Sequence, residues 1–258
     1  MSSDQPKISS WRLTGECLKQ TFTLYPQVVK SAWGWLIALH VIQVIASQMS
    51  SYSADNLRAS GREDLGLIVA IAGIDMVFTL IWSAFWVLTL SLAAHQELAP
   101  QSALQRPKNL LETINQILVE QTRTLAAILW RAPLIVPAGI QWVRLTFVPF
   151  IVIFDPDYDG GRRDALKGSQ DLSQSRFWLL NLYLLAAGAL PWMAESVTQG
   201  EKEWLWENPV KVGLTSILTL LINIATGLFL FSLYRRLASM TAESGNEAPH
   251  ADLQLERN

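Results

Sequence analysis

Apolar residues in this chain gather in long runs separated by short polar connections. A helix needs roughly 20 apolar residues to cross about 30 Å of hydrocarbon, so the run lengths predict transmembrane helices. The first run covers 29–49 and the second 65–94, the second being long enough to tilt or protrude. A third apolar stretch covers 125–154 but contains Arg131, Arg144 and prolines at 133, 137 and 149. Two more runs cover 177–193 and 213–234. Residues 238–258 form a polar, acidic tail that reads as disordered.

The third stretch decides the topology. As one span it gives five crossings. As a hairpin turning at Val136-Pro137-Ala138-Gly139 it gives two segments, 125–136 and 140–154, and a total of six. Five crossings place nine Lys and Arg on each side of the membrane, whereas six place fourteen on one side and four on the other. The positive-inside rule selects six, with both termini cytoplasmic. Each half of the hairpin is short for a full crossing, and a re-entrant pair would give the same sidedness. The expected fold is an all-α, polytopic transmembrane bundle with a single integral membrane domain over 1–237.

Three stretches carry apolar stripes at helical spacing and read as amphipathic helices at the cytoplasmic face, packed on the bundle or lying on lipid. The first contains Ile8, Trp11, Leu18, Phe22 and Tyr25 and is expected to stop at Pro26. The second contains Leu110, Leu111, Ile114, Ile117 and Leu118, with Glu112, Gln116 and Glu120 opposite. The third contains Ala165, Leu166, Ser169, Leu172 and Phe177 among Arg162, Arg163, Lys167 and Arg176.

Composition agrees with a membrane setting. Of 258 residues, 50% are hydrophobic and 16% charged, against about 25% charged in soluble domains. The net charge of −2 leaves no basic footprint for nucleic acid. Most of the 11 Trp fall near run ends, as in interfacial belts, while Trp82 and Trp86 lie mid-run and read as packing. Cys17 is the lone cysteine, so no disulfide framework or zinc cluster can form. No cleavable signal follows the N-terminal residues, so the first run is expected to act as the insertion signal.

Candidate chemistry is sparse. Asp75, Arg131 and Arg144 are ionisable groups inside apolar runs, where such groups usually face the bundle interior in pairs. Their depths allow Asp75 to pair with either arginine, as a structural pair or around a polar cavity. Asp155, Asp157, Asp159 and Gly160 open like a calcium loop, but position twelve is Leu166, which cannot ligate. The alternative is an acidic turn in which Gly160-Gly161 supplies positive φ. His40 reads as a neutral contact residue between helices. Ser31, Gly34 and Ala38, and Gly66, Ala70 and Gly73, form small-residue faces suited to close helix approach. No metalloprotease, nucleophile-elbow or P-loop motif occurs.

From Leu134 to Trp178 the chain reads LIVPAGIQWVRLTFVPFIVIFDPDYDGGRRDALKGSQDLSQSRFW. This resembles a pattern in bacterial inner-membrane families of unknown function and in the membrane domain of some glycerophosphodiester phosphodiesterases. The matching positions are Pro137, Gly139, Arg144, Pro149, Asp155, Ala165, Leu166, Ser169, Leu172, Phe177 and Trp178. Pro137-Ala138-Gly139 stands where the pattern more often shows Pro-Gly, and Lys167-Gly168 where a basic pair is commoner. The resemblance implies a six-helix protein of the bacterial inner membrane. The soluble phosphodiesterase domain is absent here, so the enzymatic activity is not carried over. The expectation is a non-catalytic envelope protein without a cofactor. It would act through membrane lipids or as partner of another membrane or cytoplasmic protein, or alternatively as a transporter component with a polar midplane site.

Overall fold

The computed structural model describes residues 10–59, 65–98, 109–131, 133–159, 161–174, 176–198 and 206–246. Among these every regular element is helical: α1 (Ser10–Ala59), α2 (Leu65–Leu98), α3 (Leu110–Leu129), α4 (Ile135–Arg144), α5 (Val148–Phe154), α6 (Pro156–Asp159), α7 (Ala165–Gln174), α8 (Phe177–Thr198) and α9 (Pro209–Asn246). Four stretches are long and apolar enough to cross a bilayer: Trp11–Leu57, Gly66–Glu97, Val136–Phe154 and Pro209–Thr241. A shorter apolar stretch covers Phe177–Ala186.

α1 and α2 form an antiparallel pair, joined midway by Trp82, whose indole N–H donates to the Leu39 carbonyl at 2.9 Å. α9 lies antiparallel to α1. Tyr52 meets Trp206 edge-on at one end, and Arg236 reaches Glu16 at 3.5 Å at the other. The N-terminal end of α1 and the C-terminal ends of α2 and α9 therefore share one end, here called the lower end. α8 packs on α9, with Tyr183 stacked on Phe229 at 3.8 Å.

Burial is unequal along these helices. The core comes from the lower parts, including Leu13 to Leu36 of α1, Ala84 to Ala94 of α2 and Leu220 to Leu237 of α9. The upper parts leave large apolar side chains exposed, among them Ile42, Ile45, Val69, Ile74, Val77, Leu214 and Ile217. α5 is the centre of the lower core. Every one of its side chains except Pro149 is buried, and Phe150 and Phe154 pack on Phe231 of α9. His95 of α2 closes this aromatic cluster at 5.4 Å from Phe154.

Several expectations need correction. Residues 125–136 are not a separate segment: they comprise the end of α3, a turn and the start of α4. Six apolar segments are therefore not resolved as six helices. Of the described residues, Trp130, Arg131, Pro133 and Leu134 form the reversal, stabilised by Arg131 N–H to Ile128 O and Leu134 N–H to Arg131 O. Pro137 sits in the first turn of α4, where its missing N–H has no helical partner to lose. Pro26 does not end the first helix, which runs 50 residues through it. The stripe that packs is Leu13, Cys17, Thr21, Leu24 and Val28, while Trp11 and Phe22 are 83% and 76% exposed.

The second stripe is partly reversed: Leu110 and Leu111 are exposed and Glu120 is buried. The third ends at Gln174, and Phe177 opens α8. The predicted tail is helical as far as Asn246, and 247–258 lie outside the described residues. Gly34 and Gly73 have no neighbour within 4 Å of where a Cβ would stand. Close helix approach occurs instead at Gly227, against Leu90 of α2.

Candidate functional site

The stretch from α3 to α7 gathers most of the described polar contacts between elements. It begins with a broken helix. Pro149 has no N–H, so the helix that would run through α4 and α5 cannot keep its ladder. Val148 N–H donates to Leu145 O at 3.2 Å, one residue nearer than in an α-helix, and the Arg144 carbonyl loses its partner. α7 supplies the replacement. Ser169 Oγ donates to Arg144 O at 2.8 Å and accepts from Phe147 N–H at 3.1 Å. Ser173 Oγ adds a contact to the same carbonyl at 3.2 Å. Ala165 and Ser169 are fully buried, which seats α7 against the break. The Ala-Leu-x-x-Ser-x-x-Leu pattern thus pins an interrupted helix.

Below the break, carboxylates meet arginines one by one. Asp155 accepts from Asp157 N–H at 2.9 Å and pairs with Arg163 at 3.0 Å. Asp157 pairs with Arg162 at 2.9 Å. Arg123 of α3 bridges Glu120 at 2.8 Å and Asp164 at 2.7 Å. Tyr158 O–H donates to the same Glu120 at 3.4 Å. Glu120 keeps only 6% side-chain exposure, so this pairing compensates a carboxylate taken from water. The hydrogen bond from Arg123 holds the Asp164 carboxyl below its usual range, and the two carboxylates raise the Arg123 guanidinium. Asp164 Oδ1 also caps α7 by accepting from Lys167 N–H at 3.1 Å.

The calcium-loop candidate of Asp155, Asp157 and Asp159 falls among these pairs. Asp155 and Asp157 are already neutralised, and no group of three His, Cys, Asp or Glu among the described residues could hold a metal. The Asp159 side chain lies outside what is described. Gly161 has φ +66°, as an acidic turn requires, and Gly160 lies outside the described residues.

The three intramembrane candidates are not brought together. Asp75 borders a cavity of about 300 Å³ between the upper parts of α1 and α2, lined by Met49, Ser53, Ile71 and Phe78. Arg131 lies in the turn after α3 and donates to Ala127 O at 3.1 Å. Arg144 ends α4 with its side chain exposed. Among the described residues neither arginine pairs with a carboxylate. Both stand beside exposed apolar side chains: Leu129, Trp130, Leu134 and Val136 near Arg131, and Trp142 near Arg144. Of the other pattern positions, Gly139 is exposed, Leu166 is partly buried, and Phe177 meets the exposed Trp178 edge-on at 5.5 Å.

A second cavity, of about 310 Å³, opens between α1, α2 and α9 around His40, Gln43 and Gln48. The sequence does not mark it as a site, because uncharged polar residues scattered through an apolar run give little signal. Their spacing of three and eight residues along one helix face was the readable clue. Compared with protein-family models, curated proteins and solved structures, the chain finds no match.

Proposed function

We propose that the chain is a non-catalytic integral protein of the bacterial inner membrane that works through contact with anionic lipid at the inner leaflet. α1, α2 and α9 would cross the bilayer, together with α8, whose short apolar stretch Phe177–Ala186 continues as helix to Thr198, and both termini would lie in the cytoplasm. Trp35 and Tyr52 on α1 are 17 residues apart, about 26 Å along a helix, which suits two interfacial aromatic belts. The exposed apolar side chains of the upper parts would face lipid. A hairpin crossing beside them would cover them, so α3 and α4–α5 are read as a re-entrant pair confined to the inner leaflet.

The observation that carries the reading is the hairpin tip. It exposes Leu129, Trp130, Leu134 and Val136 beside Arg131, with Arg144 at the far end of α4. Apolar side chains in acyl chains, with cations reaching back to the headgroup phosphates, are how interfacial segments hold anionic lipid. The six-segment resemblance to glycerophosphodiester phosphodiesterase membrane domains stands as part of this proposal, as does a partner protein bound at the same face.

The test is cysteine labelling in intact cells, in a Cys17→Ala background, with a thiol reagent that cannot cross membranes. Asn56→Cys is expected to label from outside, Asp157→Cys only after the inner face is opened, and Arg131→Cys never from outside. Outside labelling of Arg131→Cys would mean that the hairpin crosses. For the lipid contact, phosphatidylglycerol co-purifying in native mass spectra is expected to fall in Arg131→Gln/Arg144→Gln. Unchanged lipid retention would overturn that part.

A further inference from the structure

The cavity between α1, α2 and α9 has polar groups with nothing to bind. His40 is 7% exposed. Its ring faces the Ser216 backbone, yet neither ring nitrogen makes a hydrogen bond of good geometry. The side-chain carbonyls of Gln43 and Gln48 are also buried and without a donor. Buried polar atoms are almost always satisfied, so a cluster of orphans around one space points to something that belongs in it. The facing helix α9 contributes Thr215, Ser216 and Asn223. Trp82 closes one side. Its N–H is committed to Leu39 O at 2.9 Å, so it offers the cavity only its ring.

We propose that this cavity binds a neutral, hydroxyl-rich group the size of a glycerol or a single sugar. Three observations select that chemistry. No Asp, Glu, Lys or Arg lines the space, so a charged ligand would have no partner. The side-chain amides of Gln43 and Gln48 and the His40 ring are uncharged groups that suit hydroxyls, which both donate and accept. The volume of about 310 Å³ lies at the small end of ligand pockets. Trp82, stacked on Trp86 at 5.3 Å, supplies an aromatic wall, while Gln43, Gln48 and Asn223 suit the hydroxyls. The site lies apart from the α3–α4 hairpin and does not rest on the lipid contact proposed there.

Hydroxyls of this kind come on a lipid headgroup or free in solution, and the test separates the two. The full chain, labelled with 15N in its histidine rings, is placed in phosphatidylcholine nanodiscs. The His40 signal is assigned by its loss in His40→Gln. Monoglucosyl diacylglycerol is added in one arm and free glucose in the other. A saturable shift of His40 is expected, with His95 unmoved as a control for folding. Saturation only with the lipid assigns a headgroup, and saturation with glucose assigns a solute. Gln43→Leu/Gln48→Leu is expected to weaken the apparent affinity at least tenfold. No His40 shift in either arm would overturn the proposal and leave ordered water as the occupant. So would a shift unchanged in the double variant, or equal binding of glucose 6-phosphate.

Discussion

Ser169 shows how one hydroxyl can decide whether a helix break is tolerable. Its oxygen serves Arg144 O and Phe147 N–H together, in a spot closed to water. Ser169→Ala leaves Phe147 N–H without its partner and Arg144 O with only the longer contact from Ser173, and an unmet buried group costs about 1–3 kcal/mol. A clear fall in thermal stability in detergent is expected, larger than for Ser173→Ala, because Ser173 also bonds Gln170 O and only seconds Ser169 at Arg144. Glu120 and Arg123 behave differently. Arg123→Ala strands a buried carboxylate, a change that can cost up to about 3–5 kcal/mol, whereas adding Glu120→Gln should recover much of the loss. A double-mutant cycle on melting temperature measures the difference. Asp164 adds a pH signature. Because Arg123 depresses its pKa, its contribution is fully present above the ordinary carboxylate value and is lost as pH falls through the lower folded value. Asp164 is partly exposed, so the effect stays below about 1 kcal/mol. Asp164→Asn should lower stability at neutral pH and converge with the parent protein only once the pH has fallen below the depressed folded value. The sequence marked Ser169 through a resemblance, yet it placed Glu120 on the polar face. Burial of an acid depends on a distant arginine and tyrosine, and local periodicity holds no record of either.

At the scale of elements, the long apolar runs were legible because run length is itself the physical requirement for crossing lipid. The runs at 29–49, 65–94 and 213–234 all fall inside single helices. Boundaries were less legible. Pro26 does not stop α1, whose flanking turns are held by packing against α2 and α9, and tertiary contacts outweigh one missing N–H. The α3–α4 reversal was misplaced because Pro137 looked like a turn former, whereas a proline in a first turn starts a helix. The small-residue faces around Gly34 and Gly73 misled for another reason: a glycine permits close approach but does not require it. Among the described glycines, close approach between helices occurs at Gly168, near Ile151 of α5, and at Gly227, against Leu90 of α2. A Cβ at Gly227 would overlap Leu90, so Gly227→Val should push α2 and α9 apart at a cost of about 1–3 kcal/mol, and Leu90→Ala should restore part of it. Melting temperature of the two variants, singly and together, reads the coupling.

Across the whole molecule, packing and exposure divide along the helix axes. The lower half is a dense core centred on α5, and the upper half leaves its apolar side chains open. Phe154→Ala should therefore cost about 3–5 kcal/mol, while Ile74→Ala, on the open half, should cost far less in detergent. Cys17 lies inside the core stripe of α1 and is 2% exposed. The folded protein should thus resist a water-soluble maleimide and react once denatured, which mass spectrometry of the intact chain would show. The depths of Asp75, Arg131 and Arg144 along the chain allow Asp75 to pair with either arginine, but depth alone does not set direction: Asp75 borders the cavity between α1 and α2, while Arg131 turns back to Ala127 O.

The unbroken length of α1 has a mechanical consequence. Fifty residues make a rod of about 75 Å, braced near one tip by Glu16 on Arg236 and near the other by Tyr52 on Trp206. Between the braces, Tyr25 O–H reaches Leu221 O at 3.3 Å, right beside Pro26, where the ladder lacks one rung. Were the rod to pivot there by about 5°, its far tip would move sideways by roughly 4 Å, which is the displacement that the two braces at its ends resist.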